Sequence, residues 1–98
     1  MYKNLEDKLK FRLIEFARKY DLIRAITKGI NPEKGLGVYY FIVNPTYNKN
    51  LEDEISNLKL KLSNEKYEYN LVDLPCSSKI SDYILENSFL GDILWERD

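Results

Sequence analysis

Apolar and charged residues alternate at helical spacing through the first twenty positions. Leu5, Leu9, Leu13, Phe16 and Tyr20, joined by Ala17, share one stripe, and Lys8, Lys10, Arg12, Glu15 and Lys19 fill much of the remaining surface. This is an amphipathic helix with one buried face. Asn4 can cap it, and Glu6 and Asp7 place carboxylates at the positive end of its dipole. The spacing predicts a helix over 4–20. Leu22-Ile-Arg-Ala-Ile-Thr-Lys28, partly β-branched and ended by Gly29, predicts a first strand. Val38-Tyr-Tyr-Phe-Ile-Val43 is apolar at both parities and is stopped by Asn44-Pro45. It predicts a second strand covered on both faces, hence in the middle of a sheet.

Helical spacing returns with Leu51, Ile55, Leu58 and Leu62, after Asn50 as a cap and before the polar Ser63-Asn-Glu-Lys66. Tyr67-Glu-Tyr-Asn-Leu-Val-Asp-Leu74 alternates at first and closes at Pro75, predicting a third strand. Ser77 or Ser78 can cap a short third helix with Ile80, Tyr83 and Ile84 on its apolar face, and Ile93-Leu-Trp95 adds a small strand after Gly91. The order α-β-β-α-β-α-β predicts one α/β (α+β) domain over 1–98, a single mixed sheet with helices packed on it. Strands 1 and 2 should be antiparallel across the glycine-containing loop. Strands 2 and 3 should be parallel through a right-handed crossover on the second helix.

A chain of 98 residues buries roughly 65% of the surface its unfolded form exposes, enough for one core. Fifteen basic residues face sixteen acidic ones, so no net positive field exists to attract nucleic acid, which is not an expected partner. The N-terminus has no apolar leader-like run, and Val38 to Val43 is far too short to span a bilayer. A cytoplasmic location without membrane contact is expected. Cys76 is the single cysteine and there is no histidine. That excludes an intramolecular disulfide, zinc sites of the usual kind, and Ser-His or Cys-His nucleophile pairs.

The C-terminal third, Tyr69-Asn-Leu-Val-Asp-Leu-Pro-Cys-Ser-Ser-Lys-Ile-Ser-Asp-Tyr-Ile-Leu-Glu-Asn-Ser-Phe-Leu-Gly-Asp-Ile-Leu-Trp-Glu-Arg-Asp98, resembles the end of the minimal nucleotidyltransferases of the polymerase beta superfamily. Their pattern there runs V-D-L-V-D-L, a serine-containing turn, a helix ending in E-I-L, a glycine-containing turn and L-L-Y-E-R-D. Ile84-Leu85 and Leu94-Trp-Glu-Arg-Asp98 match at corresponding spacing, and length and element order agree over nearly the whole chain. The resemblance implies a nucleotidyltransferase-like fold. It also implies a site in which strand 1 runs into a G-S loop that grips phosphates, strand 2 carries D-x-D, and strand 3 supplies a third aspartate. Two magnesium ions bridging a triphosphate need such converging anionic oxygens.

Carried over position by position, Gly29 falls at the glycine of the G-S motif and Ile30 at its serine. The stretch with Gly35, Gly37 and Val38 covers the S-D-x-D-L region without an aspartate, and Asn70 stands at the third aspartate. No register shift restores the carboxylates, because no aspartate lies between Asp21 and Asp53. Asp73 is three residues past Asn70, so strand parity turns it to the other face. Glu33 alone would leave a magnesium ion held mostly by water and substrate. Lys28 and Lys34, with the glycine backbone, are the groups that could still meet a phosphate.

Plainer roles compete for each of these residues. Gly29, Gly35 and Gly37 fit neither G-x-G-x-x-G nor G-K-[ST] and suit a turn requiring positive φ. Tyr39, Phe41, Tyr67 and Tyr69 are strand formers that pack a sheet, in preference to platforms for bases. Lys59, Lys61 and Lys66 read as a solvated helix face, Cys76 as a small buried hydrophobe, and Trp95 as packing for the last strand. The expectation is a nucleotidyltransferase-like protein without catalytic residues, metal or cofactor. It would act through a protein partner, which the resemblance implies is a HEPN-type toxin or a larger assembly, and a homo-oligomer is compatible with it. The alternatives are an active enzyme using ATP and magnesium to transfer a nucleoside monophosphate to a protein, and a nucleotide-sensing module without turnover.

Overall fold

The computed structural model describes residues 5–31, 33, 37–46, 48–64 and 70–97. Its elements run α1 (Leu5–Arg18), β1 (Ile23–Ile30), β2 (Gly37–Val43), α2 (Lys49–Asn64), β3 (Asn70–Pro75), α3 (Ile80–Glu86) and β4 (Leu90–Glu96). The strands form one four-stranded sheet in the order β3-β2-β1-β4. β1 pairs antiparallel with both β2 and β4, and β2 pairs parallel with β3. The architecture is the mixed sheet with three helices that the sequence predicts.

Parity along β2 organises the interior. Tyr39, Phe41 and Val43 face α1 and α2, where Leu9, Leu13 and Ala17 meet Leu51, Ile55, Leu58 and Leu62. Val38, Tyr40 and Ile42 face the opposite side with Ala25, Cys76, Ile80 and Leu90. All six residues from Val38 to Val43 are buried, so this strand is the common wall of two apolar layers. Phe41 is fully buried and stacks on Phe16 at 5.6 Å and 9°. Thr27, also fully buried, offers its hydroxyl no hydrogen-bond partner among the described residues, and it contributes β-branched shape more than polarity.

The element ends differ from the sequence expectation in instructive ways. α1 ends at Arg18 because Lys19 and Tyr20 N–H groups bond back to Phe16 and Ala17 carbonyls, at 3.1 and 3.2 Å, tightening the last turn. The expected Asn4 cap lies outside the described residues. α2 is capped by Asn48, whose Oδ1 accepts the Leu51 N–H at 2.9 Å, and Asn50 lies inside the first turn. β3 starts at Asn70 among the described residues, with 67–69 outside them. It includes Pro75, tolerated because β3 is an edge strand. Neither Ser77 nor Ser78 caps α3: Lys79 holds that position without a side-chain bond, and the Ser78 hydroxyl lies 3.4 Å from Cys76 Sγ.

Arg97 joins the end of β4 to the α1–β1 junction. Its Nη2 donates to the Ala17 and Tyr20 carbonyls at 2.6 and 3.0 Å, and its Nε to Ile23 O at 3.0 Å. The guanidinium thereby satisfies carbonyls at the end of α1 and complements the negative end of its dipole. It also lies 5.0 Å over the Trp95 ring, while fully exposed Asp21, 3.8 Å away, adds little. Arg97→Ala should lower stability by about 1.5–3 kcal/mol, and Arg97→Lys should recover less than half, because an ammonium cannot fork across three carbonyls. Urea unfolding of the three proteins checks this; equal stability of the Lys variant and the parent would contradict it.

Candidate functional site

The end of the sheet nearest the β1–β2 connection holds most of the positions implicated by sequence. Register places Leu90, Gly29, Val38 and Asn70 in one row across β4, β1, β2 and β3. Val38 and Asn70 are neighbours on parallel strands, on the face that also carries Tyr40 and α3. The structure therefore brings together three positions, Gly29, Val38 and Asn70, that only the resemblance had linked. The side chains there are an apolar one, 2% exposed, and an exposed carboxamide.

Other candidates are not brought to this face. Lys28 pairs with Tyr39 and Ile30 with Gly37, so alternation directs both toward the side of α1 and α2. Asp73 pairs with Phe41 and borders a hollow with Val43, Leu51, Glu52 and Ile55, on the face opposite Asn70 as parity requires. Glu33 is exposed, its N–H bonded to Asn31 Oδ1 at 2.8 Å in an Asx turn. Lys34 and Gly35 lie outside the described residues.

Gly29 corrects the expectation of a turn, because β1 continues through it to Ile30. A Cβ there would stand 2.2 Å from Phe89 O and 3.1 Å from the Tyr40 ring. Gly91, expected to precede the last strand, lies within β4, and a Cβ on it would stand 2.2 Å from Lys28 O. The two glycines let the β1 and β4 backbones approach where a side chain would separate them. The Ile30 N–H, which an anion-binding loop would present to a phosphate, donates to Phe89 O at 3.0 Å. Tyr40 closes the same corner: its hydroxyl donates to Ile30 O at 2.9 Å, and its ring meets Phe89 at 5.5 Å and 58°.

These residues do not suit magnesium. The ion prefers several hard anionic oxygens, and the row supplies one neutral amide beside an isopropyl group. Among the described residues no group of three or more His, Cys, Asp and Glu side chains could hold a metal ion. Among them too, no helix is long and apolar enough to cross a membrane. Phe89 and the hydroxyl of Tyr40 were not legible as site residues, since aromatic residues beside glycines read as packing.

Gly29→Ala should cost about 1–3 kcal/mol through forced separation of the strands, read as a lowered urea midpoint. An unchanged midpoint would mean that the β1–β4 approach is looser than described. Tyr40 gives a pH signature. Burial raises its phenol above the ordinary 10.0, so in alkali the native state holds a proton that the unfolded chain loses. Its contribution is complete below pH 10 and is lost as pH rises through the native value. Tyr20 and Tyr83 are also raised, each chiefly by burial. Tyr40→Phe should therefore make the alkaline decline shallower without abolishing it, while costing about 1 kcal/mol at neutral pH through the lost bond to Ile30 O. Urea titrations at neutral and alkaline pH read both effects, and an unaltered alkaline slope would contradict the assignment.

Comparison with known proteins finds no family model, no curated protein and no solved structure that matches this chain.

Proposed function

We propose that this chain is a catalytically inactive, nucleotidyltransferase-like cytoplasmic protein that works by binding another protein, as a regulatory or noncatalytic subunit. One observation carries the reading. Val38 and Asn70 stand side by side on adjacent parallel strands, where the resemblance calls for metal-binding aspartates, and neither can supply an anionic oxygen. The Ile30 N–H adds support, being committed to Phe89 O instead of turned toward a ligand. A scaffold of this kind retains a shaped surface after its chemistry is gone. The resemblance points to a partner class, the small all-helical HEPN-type ribonuclease toxins, with this chain as the antitoxin.

Incubating the purified chain, alone and with a co-expressed HEPN-type partner, with labelled ATP and magnesium or manganese should give no label transfer to either protein. The two proteins should co-elute as a stable complex. Transfer of label would establish the enzyme instead. Saturable ATP binding by calorimetry without product would favour the nucleotide-sensing alternative, and elution as a solitary monomer in the partner's presence would remove the antitoxin reading.

A further inference from the structure

We draw no further inference here: the strongest candidate, the polar groove between α1 and α2 that Arg12, Glu15, Lys19, Glu54 and Lys61 edge over Phe16, sets three positive charges against two negative ones, and nothing in the structure shows what covers it.

Discussion

At Gly29 and Gly91 the backbones of β1 and of the segment entering β4 come so close that a methyl added at Gly29 would stand 2.2 Å from Phe89 O, and one added at Gly91 2.2 Å from Lys28 O. Much of the C-terminal third follows from that contact. It lets β4 lie along β1 as a full edge strand, Leu90–Glu96, despite register shifts in the pairing. It brings Phe89 O to the Ile30 N–H, and it seats the Phe89 ring against Tyr40. At the other end of β4, Trp95 packs on the layer beneath α1, and Arg97 reaches the carbonyls that close α1. One strand thus ties the first helix, the central sheet and the corner where chemistry would be sought.

The apolar patterning carried most of this architecture. Leu51, Ile55, Leu58 and Leu62 announce the buried face of α2 because helical periodicity is a local property. The apolar run of β2 announces a strand buried on both sides for the same reason. Pairings that depend on distant partners were less legible. Gly29 and Gly91 look like turn residues in isolation, since each one's need for a missing side chain comes from a carbonyl about sixty positions away. Arg97 gave no sign of its role, because its acceptors are main-chain oxygens at the end of α1, and backbone atoms leave no mark in a sequence. Capping was misplaced by only two residues at α2, where Asn48 and Asn50 are equivalent by composition and only backbone geometry separates them.

For the candidate site, the resemblance singled out positions far apart in sequence, and the register sets Gly29, Val38 and Asn70 in one row. Val38 and Asn70, the two positions at which the resemblance would place carboxylates, are neighbours on parallel strands. Asp73 lies on the opposite face, because moving from Asn70 to Asp73 crosses the sheet. The same corner is closed by ordinary folding interactions: an amide bonded within the sheet, a tyrosine hydroxyl on a carbonyl, and two aromatic rings in contact. These contacts tie the corner together through its own residues.

The most direct test of this account follows the backbone amides of Gly29, Ile30 and Val38 by NMR while ATP and magnesium are added. The account predicts an Ile30 amide protected from hydrogen exchange and no ligand-dependent shift at any of the three. Rapid exchange at Ile30, or saturable shifts clustered at Gly29 and Ile30, would show an anion-binding loop there and contradict it.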